Sequence, residues 1–586
     1  MNIFWKKGKI SPERLLAFRC GRPGMFLPFL ICAGSGALYA TVFAGMDWYG
    51  LAWFGMMPLY WLIRTGSSRR AFWLSLTWGC FESLFAFMWL REIMFFIPFV
   101  FCFVLGMFPA VWGAAVPFLY RNFMIPPEIR LKGGAAAAQY ECRNPFKAIA
   151  FFLVLAAWWC VTEWVRSWIF TGLPWNLIGS SQWRCLPMIQ ICEYTGIYGI
   201  SFLVVLVNVT LADYLRQLPH GGFRRCYPLL FVLALVYLNV MSGMKAIRRV
   251  ERLPLENRAR IGVVQPHLSQ RRSGGTEKVT EAIEVCAELT EQLLRNHPGD
   301  ARPELLVWPE TAVPVAYNAD YPLSDLYRRT VAQLGLKSGL PMLIGSLFLK
   351  MSQTRQGEVD VYNSALLVRP GGLVADSHSK VHIVPFGEYV PYGDRFPILN
   401  RIVGMGRNLT RGPEFRPVEI LPGLRAGISI CYEDIFAYIS RAYAIRDANA
   451  LLVVTNDAWY PSSNEPVQHF ANSLFRAVET RLPMIRIGNA DYSAVIEPTG
   501  KVSGALFQTP AGHPDPGRSE RVSGILSLTY QDDSQPTFYT QYGNLFIGFC
   551  GTYALLILAF ALLNWRLYHQ SMADVFKRPE ENGVQS

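Results

Sequence analysis

The segment RAGISICYED, residues 425–434, sets the reading of the chain. Its middle lacks the apolar–polar alternation of a half-exposed strand, so it reads as a strand buried on both faces and ending at Cys431. Strand ends held by a rigid sheet are where layered α/β enzymes place reacting groups. Two other segments have the same form. ELLVWPET, residues 304–311, puts Glu310 just past an apolar run. SHSKVHIVPFGEYVP, residues 377–391, supplies Lys380 and, eight residues on, Glu388. Singly, each has a bland explanation. A Glu after a strand is often a helix cap, a Lys is usually solvated, and a Cys ending an apolar strand is usually core.

Working outward, short β-branched runs alternate with amphipathic stretches from about residue 259. The pattern predicts strands over 260–265, 304–308, 341–349, 361–369, 425–430, 451–455, 483–488 and 492–496. Helices are predicted over 276–296, 323–337, 434–447 and 466–481. Strands alternating with helices imply a layered α/β domain.

The flanks differ. Of 586 residues, 52% are hydrophobic and only 17% charged, and the deficit of charge falls before residue 245 and after 542. A helix needs about 20 apolar residues to cross a bilayer. Eight candidate spans fit: 26–44, 50–63 (the shortest), 71–90, 94–120, 147–169, 196–215, 227–244 and 543–565. This divides the chain into an N-terminal membrane domain (1–244), a globular domain (245–542), and a last span with its tail (543–586). Lys and Arg gather in the N-terminal segment (Lys6 to Arg22), the second connection (Arg64, Arg69, Arg70), the fourth (Arg121 to Lys147), the sixth (Arg216, Arg224, Arg225) and the tail. By the positive-inside rule both termini are cytoplasmic and the globular domain lies outside the cytoplasm. The net charge of +12 suits an anionic membrane surface; no basic motif with interleaved aromatics points to nucleic acid. Glu82 and Glu163, with Arg166 nearby, are open to two readings: functional charges at membrane depth, or helix-end residues reaching the interface.

Twelve cysteines do not make a disulfide framework here. Cys32, Cys80, Cys102, Cys160 and Cys550 lie in apolar segments, and no CxxC pair or zinc spacing occurs. Cys431 is left free, as a nucleophile must be. No metal or diffusible cofactor is indicated.

Glu310, Lys380 and Cys431, in that order and with separations of 70 and 51 residues, are similar to the catalytic set of the nitrilase superfamily. VPFGEYVP after the Lys, CYED at the Cys, NDAWY at 456–460 and FTGLPW at 170–175 narrow the match. With seven spans, a globular domain and one more span, the chain resembles the apolipoprotein N-acyltransferases over about residues 26–565. It departs from them at QPHLSQRRSGG, which lacks an expected Trp, and at NADYS near 489.

The resemblance implies an αββα sandwich in the periplasm, tethered to a polytopic helical domain of the bacterial inner membrane. It implies a monomeric enzyme that moves an acyl chain from a phospholipid, at sn-1, to the N-terminal S-diacylglyceryl-cysteine amine of an apolipoprotein. The intermediate would be a thioester on Cys431. Glu310 would be the general base and Lys380 the oxyanion donor. Glu388 would orient Lys380 or assist proton transfer, and Tyr432 and Glu433 would line the pocket. The apolar, Arg-studded stretch 395–409 would either meet the outer leaflet or pack on its own domain. The main rival is a membrane-anchored amidohydrolase with the same three residues that passes its acyl group to water. A catalytically idle lipid-binding scaffold and a transporter are the others; visible symmetry between halves, common in transporters, is missing.

Overall fold

The computed structural model describes residues 26–131, 134–218, 226–253, 257–269, 275–352, 356–391, 393, 395–396, 398, 408–460, 463–506, 521–532 and 535–577. The basic N-terminal segment, Arg224, Arg225, Arg578 and most of 395–409 lie outside these residues, as does 270–274 of the QPHLSQRRSGG stretch.

The N-terminal part is a helical bundle. Its principal helices are α1 (Leu27–Tyr39), α2 (Met57–Ile63), α3 (Ser68–Ala86), α4 (Ile97–Leu119), α5 (Pro145–Arg166), α6 (Tyr198–Gln217) and α7 (Tyr227–Glu251). Four of them, α4 to α7, are long and apolar enough to cross a membrane, as is the C-terminal helix beginning at Leu545. The other three expected spans are shorter or more polar. The second is a 3₁₀ turn, Tyr49–Trp53, followed by the seven-residue α2. At 1.5 Å per residue α2 reaches only about 10 Å.

One end of the bundle gathers the second, fourth and sixth connections. Arg64 contacts Glu141 at 2.5 Å and Asp213 at 3.3 Å, while Arg216 contacts Glu141 at 2.8 Å and Asp213 at 3.1 Å. These two arginines and two acids neutralise one another, as buried charges must. At the same end Asn564 donates to the Asn122 carbonyl.

Among the described residues the globular domain has twelve strands in two six-stranded sheets. The first has the order β12-β1-β2-β3-β4-β5: β1 (Asn257–Gln265), β2 (Leu305–Trp308), β3 (Met342–Met351), β4 (Val359–Val368), β5 (Val374–Ser379) and β12 (Val522–Tyr530). The second has the order β11-β10-β9-β8-β7-β6: β6 (Val418–Leu421), β7 (Leu424–Ile430), β8 (Ala450–Thr455), β9 (Met484–Gly488), β10 (Ala494–Ile496) and β11 (Val502–Ala505). Each sheet has three parallel central strands, β1-β2-β3 and β7-β8-β9, with antiparallel strands outside them. Buried Ile261, Val263, Leu305 and Val307 of one sheet share a core with Ile428, Ile430, Leu452 and Val454 of the other.

Helices α8 (Gly275–Asn296) and α9 (Pro322–Ser338) cover the first sheet through Cys286, Leu289, Tyr327 and Val331. Helices α10 (Ala437–Ile445) and α11 (Glu465–Thr480) cover the second, completing an αββα sandwich. All sixteen residues of α11 are buried, because the helical bundle packs on its far side. The long C-terminal helix α12 (Leu545–Lys577) then returns along the bundle, where Tyr553 donates to the Ala150 carbonyl.

All eight expected strands and all four expected helices are present within a few residues. The pattern missed β5, β6, β11 and β12. These outer strands carry polar or exposed residues, such as the SHS end of β5, and lack a continuous apolar run.

Candidate active site

The site lies at the ends of β2, β5 and β7. Glu310 follows β2 by two residues, and Thr311 after it has φ +45°. Gly345 on β3 permits that turn: a Cβ there would lie 2.3 Å from the Pro309 carbonyl oxygen and 2.6 Å from Glu310 Cα. Cys431 directly follows β7 with φ +56°, a left-handed conformation rare outside glycine and commonest at functional turns. Cys431 is half-buried as a residue, whereas Glu310 and Lys380 are buried.

Lys380 Nζ donates to Glu388 Oε1 at 2.9 Å and lies 3.8 Å from Glu310 Oε1. Asn363 on β4 donates its Nδ2–H to Glu310 Oε1 at 2.7 Å and reaches Glu388 Oε1 at 3.3 Å. The charges of Glu310 and Lys380 both act on the Cys431 thiol, which stands at the end of β7. The structure therefore brings Glu310, Lys380, Cys431 and Glu388 into one cluster. Glu388 is anchored by accepting the Val384 N–H at 2.7 Å through its other oxygen.

Burial pushes Glu310 upward, and its hydrogen bond from Asn363 and the charge of Lys380 only partly counter this. Burial also pushes the Cys431 thiol well up, and the nearby Glu310 carboxylate adds to the effect. Desolvation works against the Lys380 ammonium, but Glu388, Cys431 and Glu310 outweigh it and hold that amine well above its ordinary value. The arrangement thus sets a thiol beside a carboxyl group that burial pushes upward, with the Lys380 ammonium, favoured by its neighbours, alongside. It can move a proton from sulfur to Glu310 and place positive charge on a developing oxyanion.

Tyr432 and Glu433 are beside the thiol but play different parts. The Tyr432 hydroxyl donates to the Ile383 carbonyl at 3.2 Å, and its ring lies 5.3 Å from Lys380 Nζ. Fully buried Glu433 accepts the N–H groups of Val381 and His382 through Oε1, and that of Ile430 through Oε2, each at 2.8 Å. Its expected place as a pocket residue becomes, in the structure, a tie between the turn after Lys380 and the strand before Cys431.

Beneath the site lies an ion network that the sequence reading did not identify. His469 of α11 contacts Asp434 Oδ1 at 2.7 Å through Nε2 and Asp457 at 3.0 Å through Nδ1. Arg486 of β9 donates to Asp434 at 2.6 Å, to Asp457 at 3.3 Å and to Asp491 at 2.6 Å. Asp457, Glu465 and His469 have ligand-type atoms within 4.8 Å of one another. Both His469 nitrogens already meet carboxylates and Arg486 supplies positive charge, so the donor set reads as an ion-pair network. Asn456 donates to the Glu310 carbonyl at 3.4 Å, and Asn489 donates to Asn456 Oδ1 at 2.9 Å and to the Leu268 carbonyl at 2.7 Å. The departures at NADYS and QPHL are thereby joined to one another and, through Asn456, to the Glu310 backbone.

Within the bundle, Glu82 and Glu163 are buried, so they do not reach out to an interface. Glu163 Oε1 accepts the Ile178 N–H at 2.8 Å and the Trp159 indole N–H at 3.0 Å; Arg166 donates to the Trp175 carbonyl at 2.7 Å. Arg166 thereby holds the Trp175 end of the FTGLPW loop, and Glu163 the turn just after it.

A two-sheet sandwich with Glu, Lys and Cys at its strand ends, joined to a bundle of membrane-length helices, defines a membrane-bound enzyme of the nitrilase superfamily. A carbon-nitrogen hydrolase family model matches residues 260–512, and the model of the apolipoprotein N-acyltransferase N-terminal domain matches residues 35–210. The apolipoprotein N-acyltransferase of Geobacter metallireducens is 28% identical over 549 residues, spanning 92% of this chain and 96% of its own. That of Brucella suis is 32% identical over 360 residues, 60% of this chain and 64% of its own. Apolipoprotein N-acyltransferase 1 of Treponema denticola is 29% identical over 434 residues, 69% and 76% of the two chains. The chain belongs to the apolipoprotein N-acyltransferase family, and it is an acyltransferase.

Proposed function

We propose that this enzyme takes an acyl chain from a membrane phospholipid onto Cys431 as a thioester and passes it to the α-amine of an S-diacylglyceryl-cysteine at a lipoprotein N-terminus. The observation that carries this reading is the cluster of Glu310, Lys380 and Glu388 at the strand ends, with Lys380 3.8 Å from Glu310 and 2.9 Å from Glu388 and with Cys431 in the field of all three.

In the first half-reaction Glu310 takes the Sγ proton as sulfur attacks the ester carbonyl. Lys380 and the backbone N–H following the nucleophile stabilise the oxyanion, one such donor supplying about 3–4 kcal/mol. The ester C–O bond breaks, and Glu310 returns the proton to the departing lysophospholipid alkoxide. In the second half the neutral α-amine attacks the thioester carbonyl, Glu310 accepts an amine proton, and the C–S bond breaks. Cys431 recovers the proton as the amide forms. Glu388 orients Lys380, Tyr432 lines the pocket, and Glu433 positions the two reacting turns. An amine attacks a thioester more readily than an oxygen ester, which suits a sulfur nucleophile.

The division at 1–244, 245–542 and 543–586 belongs to the same reading, with the catalytic domain periplasmic, both termini cytoplasmic and the enzyme a monomer of the inner membrane. The gathering of the Arg-bearing second, fourth and sixth connections at one end of the bundle supports that orientation.

The test is transfer itself. Purified enzyme, phospholipid with a labelled acyl chain and a synthetic S-diacylglyceryl-cysteinyl peptide should yield labelled N-acyl peptide and lysophospholipid in equal amounts. Labelled free fatty acid in place of the amide would select the amidohydrolase instead.

A further inference from the structure

One buried side chain joins the helical bundle to the catalytic domain more extensively than its neighbours do. Gln468, on α11, is 4% exposed. Its Oε1 accepts three N–H groups from the bundle: the Trp89 indole at 3.1 Å, the Trp175 indole at 3.0 Å and the Asn176 amide at 3.1 Å. Its own Nε2 donates to the Ala86 carbonyl at 3.4 Å. Four bonds from four residues fix which amide atom points where.

The donors lead back to the thiol. The Trp89 ring stands edge-on to Tyr460 with centroids 4.9 Å apart, and Trp89 also packs on Trp175 at 5.3 Å. Tyr460 ends the loop that begins at Asn456, whose side chain bonds the Glu310 carbonyl; Ile430 of β7 pairs with Val454 of β8, so this loop leaves its strand beside Cys431. Next to Gln468 in sequence, His469 stacks near Trp175 at 5.3 Å and braces both Asp434, three residues past Cys431, and Asp457 of the same loop. Thus a tryptophan of the helical bundle packs against the loop beside the nucleophile, and one amide sets its position.

We propose that Gln468 is a positioning residue for acyl transfer: by clamping Trp89, Trp175 and Asn176 it seats the Trp89–Tyr460 wall beside Cys431, so that a lipid-borne acyl chain is aligned only when bundle and sandwich are docked. Gln468 touches no reacting atom in this account. It acts through Trp89 and the loop 456–460. The assignment rests on the proposed phospholipid-to-Cys431 step.

The experiment uses full-length enzyme in phosphatidylethanolamine vesicles, with intact-protein mass spectrometry reading acylation of Cys431. Alkylation by iodoacetamide, a small water-soluble reagent, is measured on the same samples. Gln468→Met keeps length and bulk but removes the acceptor, leaving three buried donors unsatisfied; acylation should slow about tenfold or more. Iodoacetamide should still react within about twofold of wild type, because the thiol, Glu310 and Lys380 are untouched. Gln468→Glu keeps acceptor oxygens and should recover most of the rate. Trp89→Phe, which keeps an aromatic ring but loses the pyrrole part of the indole with its N–H, should slow acylation a few-fold. Combined with Gln468→Met it should add nothing further, since the two share one path.

Undiminished acylation of Gln468→Met in vesicles where wild type acylates would overturn the assignment alone. So would a parallel fall in iodoacetamide reactivity, the mark of general damage to the site. A wild-type enzyme that acquires no acyl chain would overturn the proposed function and this assignment with it.

Discussion

Asn363 donates to Glu310 Oε1 at 2.7 Å, so the proposed base is held by a neutral amide rather than by a short ion pair. A direct pair with Lys380 would pull the carboxyl down and weaken it as a base. At 3.8 Å Lys380 still lowers the carboxyl, but burial outweighs that pull, and the ammonium is held by Glu388 at 2.9 Å. Replacing Asn363 by Leu removes a bond that favours the carboxylate. The Glu310 carboxyl should then rise further, shifting the acid limb of the acylation profile to higher pH. Acylation at pH 7 should fall about tenfold, as expected for one charge-assisted hydrogen bond. Single-turnover acylation measured against pH checks both effects.

The pH dependence of wild type follows from the same group. Burial raises Glu310, so it is protonated, and idle as a base, over a range extending above the ordinary carboxylate pKa of about 4.3. The acylation rate should therefore climb with rising pH through a midpoint above that value. Glu310→Gln should erase the limb and lower the rate by about 10²–10⁴. A rate for Glu310→Gln that retained the wild-type limb would assign the limb to another group.

Glu433→Gln tests the tie between the two reacting turns. Glu433 accepts three backbone N–H groups through two oxygens, whereas an amide offers a single oxygen and would point an NH₂ at the N–H of Ile430. An unsatisfied buried N–H costs about 1–3 kcal/mol. The variant should show a lower thermal midpoint and, unlike Gln468→Met, a changed rate of Cys431 alkylation. Parallel melting curves and alkylation rates decide it.

Asp491 should leave a mark on stability near neutral pH. Asp457 and Asp491 share Arg486, and Asp457 is held down by His469 against the effect of burial; burial pushes Asp491 up to about 7. A carboxyl raised in the folded protein binds its proton more tightly there than in the unfolded chain. Its contribution is complete below the unfolded value of about 3.9 and is lost as pH rises through about 7. Stability should therefore decline from pH 4 toward 8 through this group, while Asp434, held low by His469 and Arg486, contributes above about 3.9 and loses that contribution only as pH falls further. Asp491→Asn should flatten the neutral-pH decline; unfolding midpoints at several pH values measure it.

The parts of this molecule legible in its sequence were those with local signatures. Buried central strands such as 425–430 announce themselves by continuous apolar runs, and residues at their ends, Glu310 and Cys431, stand out by chemistry. Outer strands such as β12 pack one face only and read as ordinary surface. The missed residues act at a distance. Asn363 looks like a stray polar residue in an apolar strand until β4 is laid beside β3 and β5. Gln468 meets partners 292, 293 and 379 positions away in sequence, and no periodicity reports such pairs. Its helix did carry a sign, since an amphipathic pattern fits α11 although every one of its residues is buried. Its polar face meets other protein where a surface helix would meet water.

The most direct test of the central claim is the mass of the enzyme after incubation with a phospholipid of defined chains and no acceptor. The account predicts a gain of one acyl chain, removed by hydroxylamine and missing in Cys431→Ala. An adduct that persisted in Cys431→Ala, or phospholipid turnover by that variant, would contradict it.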